Sequence, residues 1–356
     1  MATSLKILPW RGKTNFEINR RQRVGDQLRK FYEGKANAAL DSDFQIEVLE
    51  HSVSNGNAPD EVIRNDNDHP LIIFHPEGDL KRIQKDRLKE FGNVLSTNYA
   101  WKDVLYYNYW GFDYLLYLHQ VTDGNPIEAT NTENTFAPKF LCMNGRPEWH
   151  RFYLLELMNQ RNLIENNLVS FLNRYDYLRR GTKYDTFKKI WQGESPYVDS
   201  IIQSHQELTL DLTTNEVVDD DRQHEDWIYK ESSLSIVTET YGEAYRGCFI
   251  TEKGWKPIAN CHFQIFVGQP GLVQAFRDFG FDMFDDIIDH QYDTIVSDTT
   301  RYEKALTSAE RFIKTVESLS NKDELQERLK LNQTKFLNMK ITEDEVQRWL
   351  NNDTRR

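Results

Sequence analysis

Apolar residues along this chain fall into short runs separated by polar turns, and the runs follow two periods. Pro70–His75 (PLIIFH) is the first compact run. Asp-His-Pro precedes it and Pro-Glu-Gly follows, the pattern of a buried parallel strand. Upstream, Val24, Leu28 and Phe31 at helical spacing predict helix within Arg21–Tyr32, and Ser54–Glu61 (SNGNAPDE) predicts a loop. Val104–Val121 (VLYYNYWGFDYLLYLHQV) is dense in aromatics, but Gly111 interrupts it and no single helix is assigned. Thr122–Lys139, rich in Thr, Asn, Gly and Pro, carries neither period. It predicts a linker at 126–138, after an N-terminal domain at 1–125.

Beyond the linker the two periods alternate. Strands are expected at Lys139–Asn144, Leu168–Leu172, Leu234–Glu239 and Phe263–Gly268. Helices are expected at Glu148–Asn159, at Gly271–Gly280, and through Ala259 from an N-cap at Thr251. Such alternation argues for an α/β fold, with a parallel sheet covered on both faces. Residues 139–300 are then expected to form an α/β domain of their own. Ala305, Leu306, Ala309, Phe312, Ile313, Val316 and Leu319 share one face of a helix over Arg301–Leu319. A second, charged helix is expected near Asp344–Leu350, making 301–356 a C-terminal helical segment.

Composition narrows the class. The 356 residues are enough for two domains, and 39% hydrophobic with 13% aromatic content implies real cores and surfaces suited to planar or sugar ligands. No apolar run approaches the ~18 residues of a membrane span. The N-terminus lacks a secretory apolar region, so a cytoplasmic location is expected. Cys142, Cys248 and Cys261 lack metal-site spacing and read as buried thiols of a reducing compartment. The net charge of −12 weighs against broad nucleic-acid binding while leaving room for a local basic cleft.

Two segments carry candidate chemistry. In FITEKGWKPIA (Phe249–Ala259), a helix start offers free backbone N–H groups to a phosphate. Lys253 adds a point charge and Glu252 an acceptor for ribose hydroxyls; a solvated Glu-Lys pair on an ordinary first turn is the plainer alternative. In NGRPEWHR (Asn144–Arg151), a strand again ends in a Gly/Pro turn, with Arg146, His150 and Arg151 clustered at the next helix. Arginine's planar fork suits a diphosphate, and a surface-basic helix start is the alternative.

Together these blocks resemble the fucosyltransferase-like glycosyltransferases, in particular the α1,3-fucosyltransferase family. Those proteins place an arginine on the helix after a strand-end turn, and later a Phe-Glu-Asn strand end and a Tyr-x-Thr-Glu-Lys helix start. KFLCMNGRPEWHR stands for the first block, with Arg151 in the arginine's place. SIVTETY (Ser235–Tyr241) stands for the second, with Glu239 matching its glutamate; FITEKGWKPI matches the third, and FQIFVGQPG the strand and glycine turn after it. The match covers Lys139–Gly271 only. It departs at Thr240, where asparagine is expected, and at Gly254-Trp255-Lys256-Pro257, where the family has an apolar start. The resemblance implies a GT-B architecture of two facing Rossmann-like domains and a nucleoside-diphosphate sugar donor. By it, Arg151 and Lys253 hold the diphosphate, Glu252 and Glu239 contact ribose or sugar, the anomeric centre inverts, and neither a metal nor another cofactor is needed.

Transfer to an acceptor hydroxyl, on a glycan, requires a general base. Glu77 and Asp79, just past Pro70–His75, are the candidates, with His75 behind them; HPEGD read as a simple turn is the alternative. The Asp-x-Asp within Asp219–Asp226 is the pattern of a cation site but reads better as a solvated loop, and Asp285–Asp293 reads as structural. The aromatics of Tyr106–Tyr117 suit either core packing or an acceptor sugar. Two other functions fit the same donor half. A DNA-modifying glycosyltransferase would use the basic residues Arg20, Arg21, Arg23, Arg29, Lys81, Arg82, Lys85, Arg87 and Lys89. A non-catalytic binding or structural protein would keep a degenerate transferase fold.

Overall fold

The computed structural model describes residues 105–122, 136–171, 177–204 and 226–342 almost continuously. Of the rest it describes only 6–7, 26–27, 30–31, 45–48, 71–75, 93–97, 99–100, 208, 210, 344–345 and 348. The chain divides into two compact units, one comprising Met1–Asn125, Arg246–Glu252 and Asn338–Arg356, the other Pro126–Tyr245 and Lys253–Leu337.

The first unit holds a parallel sheet of five strands in sequence order: β1 (Lys6–Ile7), β2 (Gln45–Val48), β3 (Leu71–His75), β4 (Asn93–Ser96) and β5 (Leu105–Tyr106). The apolar run at Pro70–His75 becomes β3, paired on both sides, which is why it shows no alternation. Tyr109–Val121 forms one unbroken helix, α1, contrary to the expectation that Gly111 interrupts it. Asn108 explains this. Its side chain accepts the Gly111 N–H at 3.2 Å and folds back over that residue, where any Cβ would collide with the amide. The aromatics of this stretch serve the core: Tyr107, Tyr109, Phe112 and Tyr114 are buried, and Phe112 packs on Phe31. Asp26, Gln27, Lys30 and Phe31 are helical, as are Asp344, Glu345 and Arg348; the remainder of those two expected helices lies outside the described residues.

The second unit is built on a four-stranded parallel sheet of order β7-β6-β8-β9, with β6 at Phe140–Asn144, β7 at Leu168–Phe171, β8 at Leu234–Thr238 and β9 at Phe263–Val267. Every residue of β8 and β9 is buried, as expected for strands covered on both faces. The helices are α2 (Trp149–Gln160), α3 (Tyr177–Ile190), α4 (Pro196–Ser204), α5 (Asp226–Lys230), α6 (Glu252–Ala259), α7 (Leu272–Asp278), α8 (Asp298–Thr315) and α9 (Lys322–Leu337). Of these, α3, α4, α5 and α9 were not anticipated. Charged residues fill α9, yet Phe336 stacks on Trp255 of α6 with ring centroids 5.4 Å apart, and Gln333 donates to the Ala259 carbonyl. Phe312 of α8 packs on Phe263 of β9. Both α8 and α9 thus pack into the second unit's core.

Among the described residues no helix is long and apolar enough to cross a membrane. All three cysteines are free and buried, and burial pushes the Cys142 thiol up to about 12 and Cys261 up to about 11, which leaves both unreactive at neutral pH.

Candidate functional site

In the second sheet, β7 lies on one side of β6 and β8 on the other, so the winding direction reverses between β6 and β8. Open parallel sheets bind ligands at such a reversal, beyond the carboxyl ends of the strands. Backbone pairing between the two strands does not reach that end. Their ladder pairs Phe140 with Leu234 and Leu141 with Ser235, and stops there. Side chains then take over. Thr238 donates its hydroxyl hydrogen to the Asn144 side-chain oxygen at 2.8 Å, while the Asn144 amide donates to the Ser170 carbonyl of β7 at 3.1 Å.

Arg151, in the first turn of α2, links the ends of the two strands through its guanidinium. Nη1 donates to the Arg146 carbonyl at 2.8 Å; Nη2 donates to Thr238 and Glu239 carbonyls at 3.1 and 3.3 Å. The residue is only 2% exposed, and burial lowers its pKa while Glu148 and Glu239 oppose the shift. A buried cation is tolerable when its donors find acceptors and carboxylates lie close. His150 beside it donates Nε2–H to the Glu239 carbonyl at 3.1 Å, and burial next to Arg151 pushes its pKa down to about 3, so it is neutral. These two side chains are therefore not the surface-basic helix start that the sequence alternative allowed. Glu148 is paired with Lys183 at 2.6 Å.

The connection after β8 is held from α8. Arg301, also buried, donates Nε–H to Gly268 O at 2.8 Å, Nη1–H to Ile295 O at 2.6 Å and Nη2–H to Gly242 O at 2.8 Å, and it pairs with Asp298. Tyr302 donates to the same Gly242 carbonyl at 2.7 Å. Trp149 donates its indole N–H to Glu243 at 2.9 Å, and Ala244 N–H reaches Asp298 at 3.0 Å. Gly242 is required by proximity, since a Cβ there would meet the Tyr302 hydroxyl and lie 2.7 Å from His150 Cγ. Sequence reasoning missed Arg301 and Tyr302. A signal existed: Arg301 falls on the Ala305–Ala309 face of α8, where a charged residue is out of place unless it has partners.

Not every helix start near this end is open. Gly271 (φ +86°) begins the turn into α7, and the Asp293 carboxylate accepts the N–H groups of Val273 and Gln274 at 3.2 and 3.1 Å. An internal carboxylate thus already occupies that terminus. The other acids of the 282–293 segment form ion pairs, Asp282 and Asp286 with Arg328 and Asp285 with Arg277, consistent with a structural role.

The remaining sequence-predicted residues are distributed as follows. Arg146 is exposed on the loop after β6, and Glu239, just past β8, is fully buried with its carboxylate accepting Thr240 N–H. Thr251 directly precedes α6, as an N-cap should. Thr251 and Glu252 are buried and Lys253 is half-buried, so the Glu-Lys pair is not a solvated one. Thr251 and Glu252 belong to the first unit and Lys253 to the second. Arg146, His150, Arg151 and Glu239 are brought together. Glu77, Asp79 and residues 219–225 lie outside the described residues, and His75 ends β3. Among the described residues no cluster of His, Cys, Asp and Glu is arranged to hold a metal.

Comparison with protein families, with curated proteins and with solved structures finds no match.

Proposed function

We propose that the protein is a glycosyltransferase of the GT-B kind, which moves a sugar from a nucleoside-diphosphate donor to a hydroxyl of a glycan, with inversion and without an essential metal. The observation that carries this reading is the reversal of winding between β6 and β8, a ligand-binding position at the carboxyl end of a parallel sheet, with exposed Arg146 on the loop after β6. In this scheme exposed Arg146 presents its fork to the diphosphate. Arg151 and His150 brace the two strand ends, and Arg151 adds positive potential from beneath. Lys253 at the start of α6 stabilises the departing diphosphate, and Glu252 and Thr251 shape that helix start. The five parallel strands of the first unit are compatible with a second Rossmann-like domain. Glu77 and Asp79, which follow β3 in the sequence, are the proposed general-base candidates.

Calorimetry with UDP-, GDP- and dTDP-sugars tests the donor site. One of them should bind, and Arg146→Ala and Lys253→Ala should each weaken it; no binding to any, or unchanged affinity in both variants, rejects the assignment.

A further inference from the structure

We infer that Arg301 is a positioning residue for the ligand site at the carboxyl end of the second sheet, holding the loops that follow β8 and β9 at one fixed spacing. The inference rests on the donor reading above, and Arg301 does not itself touch the ligand. A guanidinium has five N–H donors. In Arg301 each has its own acceptor. Nε–H bonds Gly268 O at 2.8 Å, Nη1 bonds Ile295 O and Val296 O at 2.6 and 3.2 Å, and Nη2 bonds Gly242 O at 2.8 Å and the Asp298 carboxylate at 2.6 Å. The residue is 1% exposed, so no donor is left over for a phosphate.

The backbone acceptors come from three separate stretches of chain. Gly242 lies on the connection after β8, Gly268 directly after β9, and Ile295 and Val296 just before α8, whose first turn supplies Arg301 and Asp298. Both glycine loops abut the strand-end side chains. A Cβ on Gly268 would lie 3.1 Å from Glu239 Cβ, and one on Gly242 would lie 2.7 Å from His150 Cγ. The Glu239 carbonyl in turn accepts from His150 and Arg151. A closed circuit of contacts thus runs from Arg301 through Gly242, His150, Glu239 and Gly268 back to Arg301. Tyr302 reinforces it with its own bond to Gly242 O at 2.7 Å.

A buried charge is weak evidence for a stabilising role, since a well-packed apolar residue of similar volume is often as good. What the guanidinium adds is direction. Its planar fork fixes several backbone segments at once, which an ammonium on a flexible stem does not. Loops held before the ligand arrives need no ordering on binding, and affinity rises by the cost avoided.

The test uses the full chain, with wild type, Arg301→Lys and Tyr302→Phe compared by urea unfolding and by calorimetry with UDP, GDP and dTDP under conditions where each protein is folded. Arg301→Lys keeps the charge and loses the fork. It should weaken the preferred nucleotide about 10-fold, and Tyr302→Phe, which removes one bond to Gly242 O, about 3-fold. A purely structural role would lower the unfolding midpoint and leave the affinity of the folded protein as it was. That result in Arg301→Lys overturns the positioning role and leaves the donor reading standing. Should Arg301→Lys not fold, Tyr302→Phe decides by the same criterion. A wild type that binds none of the three nucleotides overturns both.

Discussion

The Thr238 hydroxyl and the Asn144 side-chain oxygen lie 2.8 Å apart at the point where β6 and β8 have ceased to pair through their backbones. The bond ties the two strand ends together through side chains, beyond the reach of the backbone ladder.

Replacing Thr238 with Val keeps the shape but removes the donor. The Asn144 oxygen, buried, then loses its partner, and a buried unsatisfied acceptor costs about 1–3 kcal/mol. Urea unfolding should show a lower midpoint with an unchanged slope. Thr238→Ser, which keeps the hydroxyl, should recover most of the loss.

Gly242→Ala forces a methyl against the Tyr302 hydroxyl and the His150 ring. Tyr302 and Arg301 both bond the Gly242 carbonyl, so the neighbours cannot retreat without breaking those contacts. Overpacking of this sort costs about 1–3 kcal/mol. Thermal unfolding should register the cost, and nucleotide affinity, if the donor reading holds, should fall in the folded fraction as the loop shifts.

Asp293 caps α7 through two backbone N–H groups. Asp293→Ala should destabilise by about 0.5–2 kcal/mol, the range for a lost helix cap, and Asp293→Asn by less because its oxygen still accepts. Denaturant melts of the two variants separate these outcomes.

His262 supplies a pH dependence. Its Nε2–H donates to the Ser232 carbonyl at 2.5 Å and its Nδ1 accepts from Ser235 at 2.9 Å, while burial pushes its pKa down to about 4. The unfolded chain takes up this proton near pH 6.5, but the folded chain holds it off until about pH 4. Stability is therefore intact above pH 6.5 and declines as the pH falls towards 4, with His150 acting in the same direction down to about 3. His262→Gln should be less stable at pH 7 yet lose less between pH 7 and 4.5. An equal loss in both proteins over that interval would show that His262 does not contribute.

The sequence by itself determined the strands β3, β6, β7, β8 and β9 to within a residue or two, and with them the α/β class. A strand buried on both faces must be written as a continuous apolar run, and that signal is local. The turn between strand and helix drew attention to Arg146, His150 and Arg151, and the family resemblance to Glu239. Local pattern failed where a partner decided the outcome. Gly111 looks like a helix breaker until Asn108 folds over it, and the charged α9 looks solvated until Phe336 meets Trp255. Tertiary structure alone decided the order β7-β6-β8-β9, the side-chain link between the ends of β6 and β8, and the work of Arg301, whose acceptors include Gly268 and Gly242, 33 and 59 positions away. Such contacts depend on which chain ends the fold brings together, and no hydrophobic period along the sequence encodes that.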